Sequence, residues 1–421
     1  MSLNALGYSN VNLGSDVSLI MPESMKHQGL AYPALPNCKS RVVSVPCTNA
    51  TSATSGQNLI ISLPNQGVYK KQSGYLKFKV KTTTAAAAFK NDAGVSALFN
   101  RITITSGGVI EVLQNYDFYA GIILNTLTNS SYYNADAYIL EGTNGRALAT
   151  SDTEFCMPIL SNILGNQKSL PLFLLAQPLQ IELQLNALAR AVYSTTATAV
   201  TEITVSDIRF VYENIYPGAD YENAVRSHVQ NNGAYTFNFD TYLGHQVSVT
   251  SGSALSFNGG IGKQSVEAVL AVNVENGDLT SVGASSNKLG LMTRVSTSND
   301  DSTDLGLSCF LDGQSVLPQP INKNSQLLIE GQRACNSCFD TLATLTCDGT
   351  KYGKNEAEGG CMVAGFNCRV FDEQNVVSGV PVSNFQLVRT QTYSADALVL
   401  IYCIYKANLR IDASGMTSLQ S

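Results

Sequence analysis

The stretch SGGVIEVLQNYDF, Ser106–Phe118, changes its instruction twice within a short span. A glycine pair, Gly107-Gly108, opens it, an apolar strand-like run follows, and at Asn115 the pattern switches to the start of a helix. A glycine turn beside a strand can cradle a phosphate, shape a catalytic loop or join two strands. Here it reads as a turn between Arg101–Thr105 and Val109–Leu113, with Ile110 and Val112 on one side of the sheet and Glu111 on the other. Beyond it, Tyr116, Tyr119, Ile123 and Leu127 recur at three and four. With Asn115 as N-cap and Asp117 in the first turn, the spacing predicts a helix laid against the sheet.

Outward from this stretch the dominant period is two. YLKFKVK (75–81) sets Leu76, Phe78 and Val80 against Lys77, Lys79 and Lys81, and QIELQLN (180–186) sets Ile181, Leu183 and Leu185 against Gln180, Glu182 and Gln184. YTFNFD repeats the pattern with Tyr235, Phe237 and Phe239. Each predicts a strand with one buried and one polar face. In EITVSDIRFVYENIY, Ile203 and Val205 share a face that Ile208, Phe210 and Tyr212 resume one residue late, which predicts a β-bulge at Ser206-Asp207. Ala397–Tyr405 (ALVLIYCIY) fits a strand buried on both faces. Asn258-Gly259, Asn276-Gly277, Asp312-Gly313 and Asp348-Gly349 read as hairpin or tight turns. Many strands, frequent turns and few helices make the chain all-β, a sandwich or barrel.

The length of 421 residues suits two domains, and the chain states its plan twice. PLQIELQLNALARAVY followed by ITVSDIRFVYENIY corresponds in order and type to VSNFQLVRTQTYSADALVLIYCIYKANLRI, without a residue-level repeat. The division is an N-terminal arm, 1–40; a first sandwich, 41–217; a linker, 218–233; a second sandwich, 234–412; and a C-terminal tail, 413–421.

Composition excludes several functions. Charged residues are 14% of the chain, against about 25% in ordinary soluble domains, a depletion characteristic of surface covered in an assembly. The net charge of -6, with only Lys26 and Lys39 as cations before residue 40, argues against direct nucleic-acid binding. The opening MSLNALGYSN lacks the charged start and apolar core of a signal peptide, so none is expected, and no apolar window is long enough to span a bilayer. The ten cysteines are dispersed and expected to be reduced, and the sequons at Asn49 and Asn129 are expected to be unused.

No catalytic constellation is visible. His27, His228 and His245 lie far apart in loop-like settings, and nothing frames one of them as a base. GGIGKQ (259–264) resembles a fragment of a P-loop, but Phe257 and Gln264 stand where that motif needs glycine and Ser or Thr, so it reads as a hairpin turn. Cys335 and Cys338 form a CxxC; with Cys361 and Cys368 they are the zinc candidates, although the latter two are too far apart for a second tight pair. The acidic run 300–304 lacks the glycine and terminal glutamate of a calcium loop and reads as a solvated turn. Glycan hydrolysis would need paired carboxylates, and Asp207 and Glu213 have no partner that sequence identifies. Tryptophan, the usual sugar platform, is absent.

Two β-sandwich halves with ALFNRITITSGGVIEVLQNYDFYAGIIL (97–124), FLDGQSVLPQPINKNSQ (310–326) and the closing strands LPLFLLAQPLQIELQLN (170–186) and ALVLIYCIYKANLRI (397–411) resemble the double jelly-roll major capsid proteins of icosahedral DNA viruses. The group includes tectivirus-like phages, polinton-like viruses and virophages. The resemblance covers roughly residues 40–412 and rests on the order and type of strands. It implies two consecutive eight-stranded jelly rolls and a non-enzymatic protein without cofactor. It further implies a pseudo-hexagonal homotrimer that tiles the virion shell beside neighbouring capsomers, pentons and minor capsid or cement proteins. The arm, with VSLIMPESM (17–25), would run towards a neighbour or an internal lipid membrane, and 128–150 and 277–304 would be outer loops. The rival readings are a carbohydrate-binding or adhesive fibre protein and a double-sandwich glycan hydrolase.

Overall fold

Alternation settles which way strands such as Tyr75–Thr82 and Leu179–Leu185 face in the computed structural model. It describes residues 8–12, 18–22, 38–84, 87–90, 93–126, 135–143, 145–166, 168–194, 196, 199–280, 282, 292–296, 303–335, 352–353, 361–370 and 379–420. The first half carries β1 (Lys39–Pro46), β2 (Asn58–Leu63), β3 (Tyr75–Thr82), β4 (Phe99–Ser106), β5 (Gly108–Gln114), β6 (Thr153–Met157), β7 (Leu179–Leu185) and β8 (Ile203–Tyr216). They form two antiparallel sheets in the orders β6-β3-β8-β1 and β5-β4-β7-β2. Leu76, Phe78 and Val80 of β3 are buried, as are Ile181, Leu183 and Leu185 of β7. Phe78 meets Phe99 of the other sheet edge-on at 5.8 Å, closing the sandwich core. The bulge in β8 is present: the register with β3 shifts between Ser206 and Arg209, and Asp207 takes a left-handed φ of 51°.

The second half carries β9 (Ala234–Val249), β10 (Leu255–Glu275), β11 (Leu307–Leu311), β12 (Gln314–Ser315), β13 (Ala364–Asn367), β14 (Val380–Arg389), β15 (Ala397–Asp412) and β16 (Thr417–Gln420). Its eight strands form one continuous sheet ordered β9-β15-β10-β14-β11-β12, with β13 on β10 and β16 on β15. The continuity comes from β10, which pairs with β14 through its first part and with β15 through its second. This corrects the reading of Asn258-Gly259 and GGIGKQ as turns, because both lie inside β10. The glycines serve register shifts after Gly260 and Lys263, with Gly262 at φ 60°, so they bend a long strand rather than end it. Asn276-Gly277 likewise starts a short helix, Asn276–Thr280. Asp312-Gly313 does make a two-residue hairpin between β11 and β12, both residues at positive φ. Asp348-Gly349 lies outside the described residues.

Three longer helices complete the frame: α1 (Tyr116–Thr126), α2 (Ala219–Asn232) and α3 (Asn324–Ala334). α2 occupies most of the stretch between the two sets of strands and ends on Gly233 in the left-handed conformation. Residues 8–12 and 18–22 pair as an antiparallel hairpin within the expected arm. The expected tail is ordered in part, since β16 extends the second sheet alongside Asn408–Ile411.

Candidate functional site at the seam between the halves

The opening stretch lies where the two halves meet. Gly107, at φ 70°, turns β4 into β5, as the glycine pair predicts. The register then shifts between Val109 and Glu111, and this bulge overturns the expected facing: Ile110 and Glu111 are both buried while Val112 is only half-buried. One inserted residue flips every side chain that follows it to the other face. Asn115 does precede the helix, but at φ 50°, and its side-chain oxygen accepts from Arg190 Nη2 at 3.0 Å rather than serving as the expected cap. α1 is buried almost all round, with only Ile123 half-exposed over Tyr116–Leu124; Leu127 falls outside the described residues. A helix apolar on every side belongs inside a protein, and here it is the wedge between the halves.

Contacts across the seam come from both sides. Tyr242 of β9 donates to the carbonyl of Gln114 at 2.9 Å, and Tyr402 of β15 to that of Asn115 at 3.0 Å. The rings of Tyr119, Tyr242 and Tyr402 form a closed triad with centroids 4.3, 5.1 and 5.6 Å apart, each such pair worth roughly 0.5–1.5 kcal/mol beyond burial. Asp117 anchors the first-half side: Arg190 grips it through Nε at 2.6 Å and Nη2 at 2.7 Å, and Arg190 also stacks over Phe118 at 5.0 Å. At the ends of the seam, Thr417 donates to Ser106 O at 2.5 Å and Ala176 N to Gly415 O at 2.9 Å. Lys90, fully buried, reaches the carbonyls of Ala189 at 2.6 Å and Asp278 at 2.5 Å. Because β5 and β9 are edge strands of their sheets, the seam also covers two edges that would otherwise be open to pairing.

Glu111 sits inside this seam. Burial pushes its carboxyl up to about 7, against opposing hydrogen bonds led by the Ser161 hydroxyl. Arg190, Tyr242 and Tyr402 were not legible as seam residues. The hydroxyl of Tyr402 within an apolar run was the one available signal, since a buried phenol needs a partner.

Among the described residues the chemical candidates do not converge on one metal-binding group. His228 is on α2 beside Asn232, and His245 is in β9 between Phe257 and Phe385 at 5.8 and 5.2 Å, so neither occupies a loop; burial lowers the His245 pKa. His27 and Cys338 lie outside the described residues. Cys335 ends α3, Cys361 and Cys368 are buried, and burial pushes the Cys368 thiol up to about 12, which favours the protonated thiol over a metal-binding thiolate. Among the described residues no three His, Cys, Asp or Glu side chains converge as a metal site. Asp304 of the acidic run pairs with Lys323 at 2.9 Å. Asp207 pairs with Arg209 at 2.8 Å and Lys79 at 3.5 Å, and Glu213 with Lys70 and Ser40, both at 2.5 Å. These partners lower both carboxyl pKa values. Six positions apart on one strand, the two are separated by roughly 20 Å, beyond the spacing of a glycosidase pair. Among the described residues no helix is long and apolar enough to cross a membrane.

No protein-family model matches the sequence, and no curated protein is significantly similar to it. Solved structures do match along nearly the whole chain. PBCV-1 VP54, fitted into a reconstruction of the virophage Sputnik, aligns with TM-score 0.63 at 12% identity over 91% of this chain and 97% of that one. The Faustovirus major capsid protein aligns with TM-score 0.60 at 8% identity, covering 88% and 90%. The mavirus major capsid protein aligns with TM-score 0.55 at 9% identity, covering 98% and 97%. The matches run through both halves: the chain has the double jelly-roll fold of viral major capsid proteins.

Proposed function

We propose that this chain is a major capsid protein, a non-enzymatic building block of an icosahedral virus shell whose place is the virion. The observation that carries the reading is the match of both jelly rolls, in order, to the mavirus major capsid protein over 98% of this chain and 97% of that one. The seam supports it: two sandwiches locked side by side by α1 make one wide, rigid block, which is what tiling requires. On this reading the units are 41–217 and 234–412, joined by 218–233. Three copies make a pseudo-hexagonal capsomer that meets neighbouring capsomers, pentons and minor or cement proteins.

The arm, 1–40, reaches a neighbour or an internal membrane, and the chain makes no direct contact with nucleic acid. Low charge fits surfaces that end up covered. Neither rival gains an observation, because Asp207 and Glu213 are cation-paired and far apart. Electron microscopy of the purified full chain at high concentration tests the proposal. Three-lobed capsomers or closed shells are expected, and isolated single particles the size of one chain under every assembly condition would contradict it.

A further inference from the structure

Glu111 is a carboxyl sealed into the contact between two domains. It projects from β5 of the first half, and Ser161 donates to its Oε2. The Thr241 hydroxyl of β9 and the backbone around Asn162 and Ile163 also lean towards it, yet its Oε1 and the Thr241 Oγ1 are both shut off from water without a partner in good hydrogen-bond geometry. The titratable groups around it are Tyr119 on α1, Tyr242 on β9 and Tyr405 on β15, all of which register its charge. The cations on this side, Lys406 of β15 and Arg369 after β13, pair with Glu267 of β10 at 3.0 and 3.1 Å, and Asp240 of β9 adds a further acid. A carboxylate in such a site loses its hydration without gaining a counter-ion. A neutral carboxyl keeps the site at little cost.

We propose that the seam is a proton-operated latch, in which neutral Glu111 holds the two halves together and its ionisation loosens them. Opening the seam admits water, which solvates the carboxylate and takes up the proton it releases. Burial raises the carboxyl in the closed seam to about 7 from an ordinary 4.5. Below pH 4.5 both closed and open seams hold the proton and the latch is at full strength. As pH rises from there to about 7 the open form sheds its proton while the closed form keeps it, so closure weakens steadily. Above about 7 both are ionised and the weakening is complete. The effect is independent of the shell reading, because it belongs to the folded chain.

Hydrogen exchange of the full chain, corrected for intrinsic rates, tests it at pH 5 and pH 8. The amides of 108–114 and 238–246 are expected to lose protection on the order of 10–100-fold relative to those of β2, the opposite edge strand of the same sheet as β5. Glu111→Gln, neutral and nearly isosteric, is expected to abolish that difference. Asp240, shifted in the same direction, and His245, shifted in the opposite one, are both retained in this variant, so the comparison isolates Glu111. Thr241→Val, which removes a hydroxyl that favours the charged form, is expected to move the midpoint of the loss to higher pH, and it serves if Glu111→Gln does not fold. Equal protection of seam and remote amides at both pH values in the wild type overturns the latch. So does an unchanged pH response in Glu111→Gln, or an unmoved midpoint in Thr241→Val. Measuring oligomer mass in the same samples separates loosening of the seam from any failure to assemble.

Discussion

The two halves solve the same packing problem differently. The first splits into a four-stranded and a six-stranded sheet, with a small separate ribbon of Ala87–Phe89 and Val192–Ser194, whereas the second keeps all eight strands in one hydrogen-bonded sheet. The difference lies in how a long strand turns the corner. In β8 a single bulge at Asp207 suffices, held by Arg209 and Lys79. In β10, 21 residues long, two register shifts with glycines let one strand serve both parts of the sheet. The halves are also unequal at the seam: the first supplies a wedge, β5 and α1, and the second supplies the tyrosines that close on it. A jelly roll thus tolerates different corners.

The largest expected effect comes from breaking the buried ion pair on the wedge. Arg190→Ala leaves Asp117 in the interior without its guanidinium and is expected to cost about 3–5 kcal/mol in chemical denaturation. The counterpart in the second half, Glu267→Ala, is expected to cost less, because the side chains of Lys406 and Arg369 keep 16% and 14% exposure and can turn to solvent. Equal losses would remove the distinction between wedge and sheet. Tyr402→Phe removes a hydrogen bond across the seam while Phe118 N and Tyr119 N still donate to the carbonyl of Asn115, and is expected to cost about 0.5–1.5 kcal/mol, with earlier proteolysis at the seam.

Gly262→Ala probes the corner in β10. Nothing lies within 4 Å of the added methyl, so the penalty is backbone strain alone, about 1 kcal/mol by thermal denaturation. At the other corner the effect is smallest. Asp207 is exposed and its carboxyl is held below the ordinary carboxylate range, first by Arg209. The stability it lends is present above that ordinary range and is lost as pH falls through the lowered value, so Asp207→Asn is expected to flatten the acid limb of a pH–stability curve slightly.

Much of this was legible in the sequence. Period-two runs such as YLKFKVK reported burial correctly because each strand there has one wet face, and the slipped period at Ser206-Asp207 located a bulge. The errors share one physical cause, that local patterns carry no information about what packs from afar. Glu111 looked outward because alternation assumes an unbroken ladder, and the bulge at Val109 is invisible in VIEV. GGIGKQ looked like a turn because glycines that end a strand and glycines that bend one are the same residues. Asn115 looked like a cap until Arg190, 75 positions away, claimed its side chain. The strand order and the type of fold needed only repeated local signals. The seam needed contacts between residues as far apart as Asn115 and Tyr402.

The central claim is that this chain exists to be repeated, and its mass in solution tests that most directly. Multi-angle light scattering of the full chain should give a stable species of three times the 45.0 kDa of one chain, or larger closed particles. A chain that stays at 45.0 kDa across concentration, salt and pH would contradict the account.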